Sequence, residues 1–272
     1  MSSAAVSPPV ADVTTRDDGR VRVVTMYRPS SRNGLTLDMT TEIADAIDAA
    51  AKDDAVRALV LWGEGGAFCS GLDLKAAVAV GAGQSAPEQI RERMKRHFHR
   101  MIRSVRACEK PVIALVDGPA AGFGCDLALA CDLRVVSQRA RFGEIFVKRG
   151  LIPDGGGSFT LPRLIGLGRA LELMMTGDII DSAEAHRLGI ANKVVPDADI
   201  LAAGLAFAHK IAAGPPLVLR LVKQLCYGAQ DASFDQALDA EVEGQIKCLN
   251  SADFIEGMTA FFAKRPPEFS GK

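Results

Sequence analysis

The sequence has few aromatic residues and almost no net charge: its 272 residues include one tryptophan and two tyrosines, and the formal net charge is −1. Basic and acidic residues are mixed along the chain, so nothing indicates a nucleic-acid surface or a membrane-surface anchor. No apolar run approaches the length of a membrane span. Apolar residues still make up 48% of the chain, enough for a sizeable core. These properties predict a globular protein that acts on a small molecule.

The six cysteines and four histidines form no metal-binding or disulfide pattern. The sequence has no C-x-x-C pair, and the histidines are scattered along it. We therefore expect six reduced thiols and no metal site. Residues 1–10 carry neither the basic start nor the apolar stretch of a secretory signal, so a cytoplasmic location is expected.

The first part of the chain alternates helical and strand-like segments. After a flexible tail at residues 1–11, two strands joined by a turn open the fold. Three copies of a helix followed by an apolar strand come next. Such repeats with short connections predict an α/β fold with parallel strands. The predicted strands are 12–15, 21–26, 56–62, 112–116 and 133–136, and the predicted helices of this part are 36–52, 87–107 and 122–130.

Beyond Gly155 the strand patterns mostly stop. The helices predicted for this part are 158–165, 169–175, 183–188, 200–212, 215–227, 234–249 and 252–263. Gly214-Pro215-Pro216 is the clearest break in this half. We therefore expect residues 12–213 to form the core that holds the site and residues 214–272 to form a helical region. The apolar faces of that region have little sheet left to cover. They must be buried against the core or against another subunit.

Two glycine-rich loops, at residues 63–73 and 117–126, each follow an apolar strand. Glycines allow sharp turns and bring bare backbone amides up to a ligand. The second loop runs straight into a helix, so its first amides carry the positive end of the helix dipole. Together the loops predict one site in which amides stabilise a developing oxyanion. Either loop alone is equally consistent with an ordinary turn, and neither has the spacing of a nucleotide-binding motif.

Several motifs in this chain resemble the crotonase, or enoyl-CoA hydratase/isomerase, superfamily in the same order. They lie at residues 28–33, 67–74, 111–132, 150–157, 161–166 and 182–189. The resemblance implies a crotonase-like spiral of repeated ββα units, with a C-terminal helical region that builds trimers, often paired into hexamers. It also implies an acyl-CoA thioester substrate and no cofactor beyond the CoA moiety. The substrate passes through an enolate held by two backbone amides, which here belong to Leu72 and Phe123.

Asp126 and Asp154 are the candidate acid–base groups, because a carboxyl in an apolar pocket acquires a raised pKa suited to proton transfer near neutrality. Typical hydratases of the superfamily carry glutamates at the positions matching Asp126 and Phe146. Asp154 matches a position at which dienoyl-CoA isomerase and epoxyphenylacetyl-CoA isomerase-like members carry an aspartate. In the related chlorobenzoyl-CoA dehalogenase, the aspartate at this position is a nucleophile. The local sequence alone favours structural roles for both residues: Asp154 as a cap of the following helix and Asp126 as a first-turn residue stabilised by the helix dipole.

The expected reaction type depends on Phe146, which has no ionisable group at the position where typical hydratases have their second glutamate. Hydration needs a base to activate water and an acid to deliver a proton, whereas one carboxylate can move a proton between two carbons. The resemblance therefore favours an isomerase that uses Asp154, with Asp126 assisting. A hydratase that uses Asp126, water and Glu144 stays open, as does a non-catalytic acyl-CoA-binding subunit. Glu144 points to the same side as Phe146 if that stretch is extended, and we interpret it as a surface or supporting carboxylate.

Candidate CoA contacts flank the matching motifs, where cations and open amides suit phosphates. They are Arg28, Arg32, Ser70, Asp73, Lys75, Gly122, Phe261 and Lys264. The last two belong to a terminal stretch that resembles the superfamily's tail, which closes over CoA from the same or a neighbouring subunit. Each cation is equally consistent with a solvated surface charge. His97 and His99 lie on a charged helix, and we interpret them as a solvated face.

Overall fold

The computed structural model describes residues 11–73 and 85–272. Nine strands and eleven α-helices lie in these ranges. The strands are β1 (Val13–Asp18), β2 (Val21–Met26), β3 (Ala58–Gly63), β4 (Val112–Val116), β5 (Pro119–Ala121), β6 (Leu133–Ser137), β7 (Arg141–Gly143), β8 (Ile179–Asp181) and β9 (Lys193–Val195). The helices are α1 (Leu37–Lys52), α2 (Pro87–Arg93), α3 (His99–Ala107), α4 (Phe123–Ala130), α5 (Gly157–Ile165), α6 (Leu167–Thr176), α7 (Ser182–Arg187), α8 (Ile200–Ala212), α9 (Pro216–Gly228), α10 (Phe234–Leu249) and α11 (Ala252–Ala263).

The strands form two sheets. The larger has the order β1-β2-β3-β4-β6-β9, in which only the opening hairpin, β1 with β2, is antiparallel. The smaller has the order β5-β7-β8. The chain passes from β4 to β5 and α4, and then from β6 to β7, so it steps twice from the larger sheet to the smaller. This is a repeated ββα arrangement, and it brings the ends of several strands to one region.

The larger sheet is covered on both faces, as the apolar run in β3 predicts. Leu59 and Leu61 belong to the main core, which includes the inner side of α1. Val60 points to the opposite face and packs in a second cluster with Ala208 of α8. Successive side chains of a strand alternate between faces, so a strand buried on both faces must be continuously apolar.

The predicted helix over residues 87–107 is interrupted. A five-residue π-helical segment, Met94–Phe98, separates α2 from α3. Its His97 lies 3.2 Å from Oγ1 of Thr41 through Nδ1, and Nε2 of His99 lies 3.1 Å from the carbonyl oxygen of Asp154. Both histidines are half-buried. The interpretation of this pair as a solvated face was therefore wrong.

Helix α9 is tied to the core through a partly buried polar cluster around Asp132. That carboxyl accepts hydrogen bonds from Nζ of Lys223 at 2.8 Å, from the hydroxyl of Tyr227 and from the backbone amide of Val112 at 2.7 Å. Helices α10 and α11 then leave many apolar side chains exposed. The division at residue 214 stays a prediction.

All six cysteines are free thiols, as expected; Cys226 is exposed on α9, whereas four of the others are buried in the core. No single helix of the described residues has the length and apolar character to cross a bilayer. Two helical segments bent by 101°, Asp197–Ala212 and Pro216–Asp231, meet that criterion only when they are taken together.

Candidate functional site

The two glycine-rich loops lie against each other. The Ala121 amide donates a 3.0 Å hydrogen bond to the carbonyl of Cys69. Gly71 has a φ of +95°, and a methyl group there would lie 2.8 Å from the carbonyl oxygen of Ala121 and 3.5 Å from the amide nitrogen of Phe123. Only glycine accommodates both the positive φ and this close approach. The sequence pattern therefore brings the loops together, as predicted.

The amides of Leu72 and Phe123 are both unpaired within residues 11–73 and 85–272. Leu72 and Leu35 form a β-bridge, but the two hydrogen bonds of this bridge do not involve the Leu72 amide. The Leu35 amide donates to the carbonyl of Gly71, and the Asp73 amide donates to the carbonyl of Leu35. Phe123 is the first residue of α4, so its amide has no partner within the helix. Two unpaired donors on adjoining loops, one at the positive end of a buried helix, can hold an oxyanion.

A buried asparagine, Asn33, fixes the first loop. Its Oδ1 accepts from the Arg28 amide at 2.7 Å, and its Nδ2 donates to the carbonyls of Glu64 at 2.9 Å and Ala67 at 2.7 Å. The side chain is fully buried, with a positive φ of 57° that asparagine tolerates better than most residues. The motif at residues 28–33 contains Asn33, but the sequence alone gave it no role. Its place in that motif was the available signal.

Asp126 lies on the first turn of α4 and is fully buried. Its Oδ2 accepts a 2.7 Å hydrogen bond from the amide of Gly155, whereas Oδ1 has no partner within the described residues. Burial is the largest cause that raises the pKa of this carboxyl above its ordinary value, and the charge of Asp154 adds to it. The side chain thus links α4 to the loop that carries Asp154.

Asp154 is half-buried on the loop before α5, and its Oδ1 has no partner among the described residues. Burial raises the pKa of this carboxyl to about 6. The loop packs against α4, because a side chain at Gly155 would lie 2.9 Å from the ring of Phe123. At neutral pH, Asp154 is therefore mostly a carboxylate, weakly solvated and able to accept a proton.

Glu144 is buried, with 3% of its surface exposed. Of the two interpretations given to it, the surface carboxylate was wrong, and the supporting carboxylate stays a prediction. Its neighbours Phe142 and Phe146 are buried as well, and a Cβ atom at Gly122 would lie 3.8 Å from the ring of Phe146. The side-by-side placement of Glu144 and Phe146 was expected only for an extended stretch, but β7 ends at Gly143 and a 3-10 helix covers Ile145–Arg149. Within the described ranges, no group of three or more His, Cys, Asp or Glu side chains is arranged to hold a metal ion.

Three of the candidate CoA contacts are engaged with neighbouring residues. Arg28 forms ion pairs with Asp73 at 3.1 Å and with Asp12 at 3.2 Å. The hydroxyl of Ser70 donates to the carbonyl of Ser31 at 2.8 Å. These contacts brace the start of the first loop.

The other candidate CoA contacts are spread over the molecule. Arg32 is exposed and lies beside the first loop, where its carbonyl accepts from the Ser70 amide at 3.0 Å. Gly122 precedes the Phe123 amide. Phe261 and Lys264 lie at the end of α11, which packs on α10, and 74% of the Phe261 surface is exposed. Lys75 lies outside the described residues.

Comparison with known proteins decides the family. Residues 16–272 match the sequence model described as enoyl-CoA hydratase/isomerase. The chain belongs to the enoyl-CoA hydratase/isomerase family. Its members are enzymes that act on acyl-CoA thioesters, and this confirms the predicted enzyme class.

Similar proteins of the enoyl-CoA hydratase/isomerase family include some named isomerases and some named hydratases. The chain is 36% identical over 252 residues to a 1,2-epoxyphenylacetyl-CoA isomerase of Escherichia coli, covering 93% of this chain and 95% of that protein. It is 35% identical over 266 residues to a crotonyl-CoA hydratase of Syntrophomonas wolfei, covering 96% of this chain and 98% of that protein. These similarities fix the family and leave both activities to be tested.

Solved structures of the enoyl-CoA hydratase/isomerase family share the fold. A Bacillus anthracis enoyl-CoA hydratase superposes with a TM-score of 0.91 at 30% sequence identity, covering 96% of this chain and all of that chain. A Polaromonas sp. JS666 enoyl-CoA hydratase gives a TM-score of 0.90 at 34% identity, covering 95% of this chain and 99% of that chain. The predicted crotonase-like spiral is confirmed.

Proposed function

We propose that this protein is an acyl-CoA isomerase that moves a double bond through a thioester enolate, with Asp154 carrying the proton. The observation that supports this most strongly is the half-buried Asp154 carboxyl, which has an unpartnered oxygen and lies on the loop that packs against Phe123. Phe146 occupies the position where typical hydratases of the family have a second glutamate. A single carboxylate suffices for moving a proton between two carbons.

The proposed reaction converts a β,γ-enoyl thioester to its α,β isomer. The Asp154 carboxylate takes a proton from the α-carbon, and the C–H electron pair moves into the dienolate, whose charge gathers on the thioester oxygen. The amides of Leu72 and Phe123 donate to that oxygen without reorganising. One such donor is worth roughly 10²–10³ in rate. The γ-carbon then takes the proton back from the Asp154 carboxyl, and the double bond lies between the α- and β-carbons.

Hydration of a 2-enoyl-CoA is the second candidate, and the burial of Glu144 beside Asp126 favours it. Hydration requires a base that removes a proton from the attacking water and an acid that delivers a proton to the α-carbon. Glu144 is a second carboxyl close to Asp126, although it does not stand at the position of Phe146.

Product analysis with two substrates separates these candidates. Wild-type protein and Asp154→Asn are supplied with a 3-enoyl-CoA and with crotonyl-CoA, and Asp178→Asn, on the exposed Asp178, is the matched control. We expect isomerisation of the 3-enoyl-CoA to exceed hydration, and to fall about 10²–10⁴-fold in Asp154→Asn. Fast hydration of crotonyl-CoA that survives Asp154→Asn would instead identify a hydratase. Tight binding without turnover of either substrate would identify a non-catalytic acyl-CoA-binding subunit.

For the CoA moiety, Arg32 is the best-supported cation, because it is exposed and lies beside the first loop. Its charge is suited to a phosphate group of CoA. Arg32→Ala should raise the KM for an acyl-CoA without changing that for the matching acyl-pantetheine, which lacks the nucleotide. Arg16→Ala, on the exposed side of β1, should change neither value. An equal effect of Arg32→Ala on both thioesters would contradict the assignment.

For the assembly, we propose a homotrimer or a dimer of trimers built through α10 and α11. These helices expose large apolar side chains, and contact with a second subunit would remove those side chains from water. They are Phe234, Leu238, Val242, Ile246, Leu249, Phe254, Ile255, Met258, Phe261 and Phe262. Sedimentation equilibrium should give three or six times the chain mass. A monomer at micromolar concentration would contradict the proposal, and with it the placement of Phe261 and Lys264 beside a neighbour's CoA.

A further inference from the structure

Glu144 is a buried carboxyl close to the acidic side chains of Asp126 and Asp154. It follows β7 and precedes the 3-10 helix Ile145–Arg149, and neither Oε1 nor Oε2 has a hydrogen-bond partner within residues 11–73 and 85–272. An ionised carboxylate that is buried without a partner or a cation carries a free-energy penalty of several kcal/mol, on the order of the values for buried unpaired ions. Such a group is stable in a protein only when it is protonated, and a protonated carboxyl needs an acceptor.

Asp126 supplies that acceptor. A Cβ atom at Gly157 would lie 2.1 Å from Oδ1 of Asp126 and 3.1 Å from Oε1 of Glu144, so both oxygens converge on the bare Cα of this glycine. Oδ1 of Asp126 lacks a partner as well, whereas Oδ2 is occupied by the Gly155 amide. Among the described residues neither of these two facing oxygens has a hydrogen-bond partner, and one proton held between them satisfies both.

The electrostatic surroundings assign the proton to Glu144. The titratable groups that act on it are Asp126 and Cys125 of α4 and Asp154 of the loop before α5, and none of these is a cation. Burial raises the pKa of Glu144 well above its ordinary value, and repulsion by the two aspartates raises it further. The Cys125 thiol, a weak hydrogen-bond donor, lowers the pKa of Glu144. Asp126 also has a raised pKa, but the amide of Gly155 stabilises its charged form. The two carboxyls together therefore hold one proton, and Glu144 retains it.

We propose that Glu144 is a positioning residue of this site, which keeps its proton and donates it as a hydrogen bond to Oδ1 of Asp126. The hydrogen bond fixes the Asp126 carboxylate with Oδ2 directed to the Gly155 amide, and so holds the backbone directly after Asp154. Glu144 thereby acts through Asp126 and Gly155 and does not touch the substrate. The consequence for catalysis rests on the proposed role of Asp154 as the proton carrier; the shared proton itself does not.

Two replacements of Glu144 separate the donated proton from the packing. Glu144→Gln keeps the shape and one N–H donor to Asp126, whereas Glu144→Met keeps much of the volume and removes the donor. Circular dichroism and thermal melting establish that both variants are folded. The first measurement uses protein without substrate: difference infrared spectra of wild type against Glu144→Gln at pH 8. We expect wild type to show the carbonyl band of a protonated carboxylic acid, and Glu144→Gln to lack it.

The second measurement is the pH profile of kcat for the isomerisation. Glu144→Gln should keep kcat within about threefold and leave the acid limb of the profile unchanged. Glu144→Met should lower kcat about 10-fold to 100-fold, the scale of one hydrogen bond to a charged group, with little change in KM. Its acid limb should move to higher pH, because Asp126 without its donor takes up a proton at higher pH. A protonated Asp126 no longer holds the Gly155 amide that fixes the loop carrying Asp154.

Other outcomes overturn the inference. The absence of a carboxylic-acid band in wild type, or an acid limb that moves to lower pH in Glu144→Gln, would mean that Glu144 is ionised. Equal losses in both variants with the wild-type pH profile would mean that Glu144 only fills space. If the band behaves as expected but Asp154→Asn keeps full activity, the shared proton stands and the proposed function fails.

Discussion

The backbone amide of Gly155 donates a 2.7 Å hydrogen bond to Oδ2 of the buried Asp126 carboxyl. This contact joins two parts of the chain that each carry one element of the proposed reaction. Asp126 lies on α4, whose first amide belongs to Phe123, and Gly155 directly follows Asp154. The position of the proton carrier relative to the oxyanion donors therefore depends on a buried hydrogen bond between them.

Removal of the acceptor at Asp126 should destabilise the fold. Asp126→Ala leaves the Gly155 amide buried without an acceptor, and we expect the free energy of unfolding to fall by about 1–3 kcal/mol. Asp126→Asn keeps an oxygen at the same place and should lose less. Denaturant unfolding of both variants measures the difference. Equal stability of the alanine and asparagine variants would show that the hydrogen bond does not hold the loop.

The close contact of the two loops at Gly71 makes a second prediction. Gly71→Ala places a methyl group 2.8 Å from the carbonyl of Ala121 and requires a φ near +95°. The loops must separate, so we expect a loss of about 1–3 kcal/mol in stability and of roughly 10²–10³ in kcat, the scale of one oxyanion donor.

Gly168→Ala is the matched control, because a Cβ at Gly168 meets nothing within 4 Å. It lies in the first turn of α6, where alanine favours the helix, and should leave kcat unchanged. A Gly71→Ala enzyme as active as this control would mean that the two amides need not be held together.

The raised pKa of Asp154 predicts how its replacement changes stability with pH. The ordinary aspartate value is 3.8, and burial raises the pKa in the folded protein to about 6. Between these values the folded protein binds more protons than the unfolded chain, so this group's contribution to stability is lost as the pH rises. The melting temperature of Asp154→Asn, relative to wild type, should therefore rise from pH 4 to pH 6 and level off above about pH 7. A constant difference across this range would contradict the raised pKa.

The helices were predictable because their signals are local. The predicted bounds of α8, α10 and α11 match the structure, and the last two begin after Ser233 and Ser251, whose side chains accept hydrogen bonds from the first turn. The three-residue strands β5, β7, β8 and β9 were not predicted, since so short a run has no measurable alternation. The π-helical break after Arg93 was missed because the apolar residues Met94 and Phe98 keep a spacing that also fits a continuous α-helix.

The candidate site was predictable where glycine spacing carried the geometry, and not where burial depended on distant partners. The two loops follow from their glycines and the strands before them. The ion pair of Arg28 with Asp73 joins residues 45 positions apart, which a pattern of single residues does not reveal. Glu144 was named as a candidate carboxylate, but its burial could not be predicted, since a lone glutamate is usually exposed. Its contact with Asp126 joins two elements that only the packing of the chain brings together.

The most direct test of the central claim is exchange of the α-protons of a saturated acyl-CoA in deuterated water. This reaction needs the oxyanion donors and the base, but no double bond to move. Mass spectrometry should show deuterium entering the α-position with wild-type protein and with Asp178→Asn, and about 10²–10⁴-fold more slowly with Asp154→Asn. Exchange at the wild-type rate in Asp154→Asn would contradict the assignment of Asp154 as the group that takes the proton.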